Sequence, residues 1–174
     1  ISGNKDGLDV LPDGNFLPPM ELNCVEKDVA ARVKQHFNNQ RHVIIGRTAN
    51  LTQPLQSRVN CQYRNKCWLG CPFGAYFSTQ SSTLPAAMKT GNLTLRPYSI
   101  VTEIIYDKDT KKAKGVRVLD AETNHTYDYF AKVVFLNAST LNSTWVLLNS
   151  AKDVWDGGLG SSSGQLGHNL MDHH

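Results

Sequence analysis

The run Val133-Val134-Phe135-Leu136 restricts the fold more than any other stretch of the chain. Consecutive apolar residues of β-branched and aromatic type read as a strand covered on both faces, because such a strand shows no alternation. By pattern it is the most buried-looking strand of the sequence. It runs into a polar corner, Asn137-Ala138-Ser139-Thr140, and then into a helical stretch from Leu141 to Leu148. A strand feeding a helix in this way belongs to mixed α/β architectures.

Ahead of this unit the pattern is that of a meander. Leu93 to Arg96 and Ile100 to Tyr106 are strand-like, Asp107 to Ala113 is a polar turn and Gly115 to Leu119 is a strand. Asp120 to Asn124 turns again, and Thr126 to Phe130 alternates as a half-buried strand does.

The first 90 residues are less regular. Residues 1–22 are rich in Gly, Pro, Asp and Asn, including Pro12-Asp13-Gly14, and read as loop. Asn23 with Glu26 forms a capping-box pattern, and Val29, Val33 and Phe37 follow at helical spacing, which predicts a helix over residues 24–39. His42 to Ile45, stopped by Gly46, predicts a short strand, and Arg47 to Asn60 is polar connection. Residues 61–82 show neither period. Leu84 to Lys89 predicts a short helix, with Pro85 in its first turn and Gly91 just past its end. Residues 151–167 return to Gly and Ser, and no internal repeat is found.

Composition excludes several functions. A chain of 174 residues with 40% hydrophobic content can bury a core or two small lobes. Its net charge of +3 comes from 18 basic and 15 acidic residues without a run of one sign, which argues against a nucleic-acid partner. No apolar stretch approaches the roughly 20 residues that span a bilayer, so no transmembrane segment is expected. The opening residues lack the basic start and apolar centre of a signal peptide. With Ile1 first and Asp172-His173-His174 last, the sequence reads as an internal piece of a longer protein, in a cytoplasmic or periplasmic compartment that it does not choose between.

Three of the four cysteines, Cys61, Cys67 and Cys71, fall close together, with Cys24 far upstream. This is not the disulfide framework of a small secreted domain. The residues themselves leave three readings open: a metal or cluster site, small buried apolar side chains or one incidental disulfide, and a zinc site completed by Cys24. A metal set could also be drawn from His168, His173 and His174 beside Asp172, but the bland reading, a closing sequence motif that includes His173 and an exposed terminal His pair, is preferred. Five Asn-x-Ser/Thr sequences, starting at Asn50, Asn92, Asn124, Asn137 and Asn142, match the glycosylation pattern, although Asn137 falls in the polar corner.

The order of these pieces, closing on Gly167-His-Asn169-Leu-Met-Asp172-His173, resembles the second half of the amino-terminal region in glucose-methanol-choline (GMC) oxidoreductases, over residues 60–174. Within that family, LNASTLNS with CWLGCPFGAYFS is most similar to the flavoprotein subunits of gluconate, fructose and glucose dehydrogenases. The resemblance implies an α+β piece of an FAD/NAD(P)-binding-type α/β flavoenzyme: a β-meander plus strand–helix unit, with a helical and loop-rich lobe. It further implies that residues 1–60 belong to a substrate-facing lobe and that 61–90 form a Cys-rich loop and short helix at the lobe interface. Residues 91–150 would be part of the FAD lobe, and 151–174 a Gly/Ser linker with the closing motif.

By the same resemblance, FAD contacts fall on the backbone near Val101 and on Asn137, Ala138 and Ser139, at a helix start whose free N–H groups suit a polar cofactor edge. The bland reading of that corner is a strand-to-helix turn capped by Ser139 or Thr140. Many family members carry a glycine there and this chain does not. Cys61-x5-Cys67-x3-Cys71, followed by Pro72-x-Gly74-Ala75, resembles a segment binding a three-iron (3Fe-4S) cluster, which would pass electrons from reduced flavin. The implied activity is oxidation of a CH–OH group of a sugar, sugar acid or polyol, with an electron-accepting subunit or cytochrome as partner. An iron-sulfur electron-transfer module and a non-catalytic binding module are the competing readings. No residue is assigned as catalytic: the family's base is a histidine beyond residue 174, and the G-x-G-x-x-G fingerprint does not occur. Gly158-Leu-Gly160-Ser-Ser-Ser-Gly164 is not that fingerprint, because its last glycine is late and it follows a helix.

Overall fold

The computed structural model describes residues 1–4, 8, 12 and 14–172. The Asp13 of the Pro12-Asp13-Gly14 turn, and His173 and His174, lie outside the described residues. The chain divides into two compact units, Ile1–Thr94 and Leu95–His174.

In the first unit the capping box forms as its sequence predicts. Asn23 Oδ1 accepts from Glu26 N–H at 2.9 Å and Glu26 Oε2 accepts from Asn23 N–H at 2.8 Å, which opens helix α1, Cys24–His36. The helix ends three residues before the expected position 39. Asn38 and Asn39 turn into the left-handed region at φ 49° and 63°, a conformation asparagine tolerates, and Asn39 N–H closes back on Lys34 O at 2.9 Å. The stripe of Val29, Val33 and Phe37 does not become a buried face, since no residue of α1 is buried.

Helix α2, Thr83–Lys89, starts one residue ahead of expectation, and Gly91 lies past its end at φ 71°. The strand expected at His42–Ile45 is absent: this segment is irregular, because no neighbouring chain offers it a ladder. What closes the unit is isolated pairing further along. Ser2 exchanges backbone bonds with Thr48 at 3.0 Å, Leu51 N–H donates to Ala75 O at 2.9 Å, and Leu51 and Ala75 are the buried apolar pair.

The second unit is built on an antiparallel meander of β1 (Ser99–Asp107), β2 (Lys112–Asp120) and β3 (Thr126–Phe130), in the order β1-β2-β3. All three strands cover the stretches that the alternation predicts. The turns between them are fixed by carboxylates. Asp107 Oδ1 accepts from the N–H groups of Asp109 and Thr110, and Asp120 Oδ1 from those of Glu122 and Thr123. Gly115 sits in the central strand where a Cβ would meet Tyr129 O at 2.2 Å, so this close approach of β2 to β3 admits no side chain.

Leu93–Arg96 forms no strand. The larger correction concerns Val133–Leu136, which joins no sheet, with Val133 64% and Phe135 81% exposed. A doubly covered strand needs neighbours on both sides, and the described residues supply none. Helix α3, Ser139–Asn149, does form, two residues earlier than the pattern suggests.

One polar residue ties α3 to the meander. Ser150, fully buried just past α3, accepts from Ile104 N–H of β1 at 2.7 Å through its Oγ and donates to Val146 O at 2.6 Å. Ile104, Val118 and Val146 form the apolar core around it. The glycine-rich stretch that follows packs under the end of α3: Leu159 N–H donates to Leu147 O at 2.9 Å, and Gly158 runs at φ 86° with Leu147 O 2.5 Å from where a Cβ would be. Gly158 therefore serves chain packing, whereas Gly160 and Gly164 face open space. Among the described residues no helix is long and apolar enough to cross a membrane.

Two predictions follow from this unit's chemistry. Replacing Ser150 by Ala strips a buried donor and a buried acceptor of their partner, and should cost about 1–3 kcal/mol in denaturant unfolding. The second concerns acid. Asp128 is held below the ordinary carboxylate range by hydrogen bonding to Arg117, Asp120 by the Thr123 N–H, Asp107 by the Thr110 N–H and Asp153 by hydrogen bonding to Lys108. A carboxylate with a depressed folded pKa contributes fully above its unfolded value, about 4, and loses its contribution as pH falls through the folded value. The melting temperature should thus decline below about pH 4, and Asp120→Ala should lower it at pH 7 while differing little from wild type in strong acid.

Candidate functional site

The polar corner adopts a geometry that capping rules do not anticipate. Ala138 is the N-cap of α3 and its side chain offers no bond. Neither Ser139 nor Thr140 caps the helix. Instead Ser143 reaches backward, its Oγ accepting from Ala138 N–H at 3.1 Å. The first turn of α3 is left without a capping side chain, so its N–H groups remain available to an outside acceptor. Ser139 stands at φ 65°, in the left-handed region where a glycine is at ease. The corner thus takes the backbone turn that the missing glycine would favour, on a serine. Asn137 beside it is exposed.

Val101 lies half-buried in β1, opposite Val118, just ahead of a bulge at Thr102. Thr102 Oγ1 donates to Arg117 O at 3.2 Å, and Arg117 in turn clamps Asp128 through two bonds and Glu103 through one. These partners hold the Arg117 guanidinium charged, with its pKa raised chiefly by the hydrogen bond to Asp128. Among the described residues no hydrogen bond joins Val101 to Asn137, Ala138 or Ser139. β1 and α3 are coupled elsewhere, at Ser150.

The three clustered cysteines do come together in one cavity of about 280 Å³, whose wall also holds Met20, Asn50 and Lys66. All are free thiols. Yet among the described residues no group of three or more His, Cys, Asp or Glu side chains is disposed to hold a metal ion. The three-iron cluster that the resemblance implies at Cys61, Cys67 and Cys71 thus finds no support among the described residues, nor does the zinc set with Cys24, which is exposed on α1. Cys67 sits in a short 3₁₀ turn, Cys67–Leu69, and Gly70 turns the chain at φ 90° before Cys71. Backbone N–H groups, that of Tyr76 foremost, lower the Cys71 thiol pKa against the opposing effect of burial.

A groove of about 540 Å³ escaped the sequence reading. Leu141, Thr144, Trp145 and Leu148 of α3 form one wall and Gly167–Met171 of the closing motif the other. Its signal was present, since those α3 positions recur at three- and four-residue spacing. Of the histidines weighed as a metal set and set aside, His173 and His174 lie outside the described residues; His168 lines this groove.

Comparison with known proteins identifies the family. The GMC oxidoreductase family model matches residues 4–174. The chain is 33% identical over 125 residues to 2-methyl-1,2-propanediol dehydrogenase of Mycolicibacterium austroafricanum, covering 72% of this chain and 22% of that protein. This chain belongs to the GMC oxidoreductase family, whose N-terminal domain binds FAD. It spans only that 22% of its relative's length.

Proposed function

We propose that this chain is part of an FAD-dependent dehydrogenase that oxidises a CH–OH group of a polyol, sugar or sugar acid. The observation that carries the reading is the family match over residues 4–174, which runs through the uncapped start of α3. The relative's name, a dehydrogenase of a small diol, supports a hydroxylated aliphatic substrate.

The residues of the corner fit the cofactor. Asn137 is exposed and offers both an amide donor and an acceptor, and the unpaired N–H groups of the first α3 turn favour an anionic or polar edge. Ser139 keeps the backbone low enough for close approach by accepting the left-handed conformation. Val101 contributes its backbone from β1 toward the same cofactor. Bound FAD supplies the hydride acceptor, and the catalytic base comes from elsewhere in the longer protein. Residues 1–60 face the substrate, and a separate subunit or cytochrome takes the electrons.

The full-length protein should purify yellow, release FAD on denaturation, and bleach without oxygen when given its diol or polyol. A flavin-free protein with no affinity for added FAD would overturn the reading. Ser139→Val forces a β-branched residue into the left-handed region at a cost of about 1–2 kcal/mol. It should lower FAD retention roughly tenfold, whereas Ser139→Gly should retain it.

A further inference from the structure

Charge is segregated along this chain, although like charges do not run together. Between Asp28 and Glu103 the sequence carries nine Lys and Arg residues and no Asp or Glu. The carboxylates just ahead of this stretch are already engaged: Glu21 pairs with Lys27 at 3.6 Å, Asp28 with Arg32 at 2.8 Å, and Glu26 accepts from Asn23 N–H in the capping box. Arg64 and Lys66, both exposed, take part in no ion pair among the described residues.

These two cations share a loop with the most exposed aromatic ring of the first unit. Val59 N–H donates to Phe73 O at 3.1 Å, and residues 60–72 loop out from that bond. The 3₁₀ turn Cys67–Leu69 holds Trp68 at 93% and Leu69 at 85% exposure, and Tyr63 on the same loop is 72% exposed. Trp and Tyr rings settle at the headgroup level of a bilayer, and Lys and Arg beside them meet anionic headgroups. Size decides between a lipid surface and a protein partner. Two aromatic side chains and a leucine offer on the order of 500 Å², short of the roughly 800 Å² that each side contributes to a stable protein interface. A lipid surface sets no such minimum, because each side chain enters it separately.

We propose that the loop from Tyr63 to Leu69 docks reversibly on an anionic lipid surface, with Trp68 and Leu69 entering the headgroup boundary and Arg64 and Lys66 meeting the lipid phosphates. The contact lies on the membrane without crossing it, and it is independent of flavin. Apolar entry and charge act together, since a small apolar anchor holds a protein only marginally without a basic patch beside it.

The test uses the full-length protein, sedimented with vesicles of mixed phosphatidylcholine and phosphatidylglycerol and with vesicles of phosphatidylcholine alone. Binding is expected to the mixed vesicles only, and it should fall as salt is raised. Arg64→Gln and Lys66→Gln should each weaken it roughly fivefold and Trp68→Ala roughly tenfold, all with unchanged melting temperature, whereas Lys66→Arg should retain it. Hydroxyl-radical footprinting should oxidise Trp68 in the free protein and spare it on the mixed vesicles. Equal binding to both vesicles, or binding that the three weakening variants leave intact, would overturn the proposal. So would a Trp68 shielded in the free protein, or a lowered melting temperature in Trp68→Ala, because the rest of the longer protein would then cover the tip. A dimer that Trp68→Ala dissociates would also overturn it, by making the loop a protein interface.

Discussion

The second unit depends on one hydroxyl. Ser150 is fully buried, and its Oγ accepts from β1 and donates to the last turn of α3 at the same time. A β1 N–H pointing away from β2 would otherwise be an unpaired donor in an apolar core, a cost comparable to the whole margin by which a single contact matters. Because Ser150 follows α3 directly, satisfying that donor also fixes where the helix ends against the sheet. Ile104, Val118 and Val146 then close the apolar space around it. The glycine-rich stretch packs beneath the same end of α3, where Gly158 comes near Leu147 and Leu148.

The position of α3 in turn decides what its other end offers. With the C-terminal end anchored, the helix start projects a turn whose N–H groups no side chain covers, next to a serine in a glycine-like conformation. Polar availability at a helix start has a cost for the free chain, and a bound anionic or polar group removes it. The Arg117 clamp on Asp128 and Glu103 serves a different purpose: it secures the β1–β2–β3 surface across the strands near the Thr102 bulge.

What the sequence revealed was what short-range chemistry controls. The Asn23–Glu26 box, the Asp107 and Asp120 turns and the alternation of β1 to β3 each depend on neighbours within a few residues or on an adjacent strand, and each formed. His42–Ile45, Leu93–Arg96 and Val133–Leu136 did not become strands, since apolar content supplies a face but not a partner. The corner was legible as a helix start at Asn137–Ser139, but no strand leads into it and its uncapped state was hidden. Rules for capping residues favour Ser139 or Thr140, while the bond made runs from Ala138 to Ser143. The spacing of Cys61, Cys67 and Cys71 was legible and they do line one cavity, but spacing does not fix where their side chains point within it. The groove against Gly167–Met171 was missed because its second wall lies about twenty residues beyond the helix that forms the first.

Val133–Leu136 has a consequence beyond the fold. Its side chains at Val133 and Phe135 meet solvent, and among the described residues none of its backbone N–H groups donates a hydrogen bond. An extended apolar segment with free donors is a template on which another copy of the same segment can build. In a nascent chain such a run stays exposed until another segment covers it, and exposed apolar runs of this kind favour association between unfinished chains. Yield from a cell would then be governed less by the stability of the meander than by how quickly that one short run finds cover.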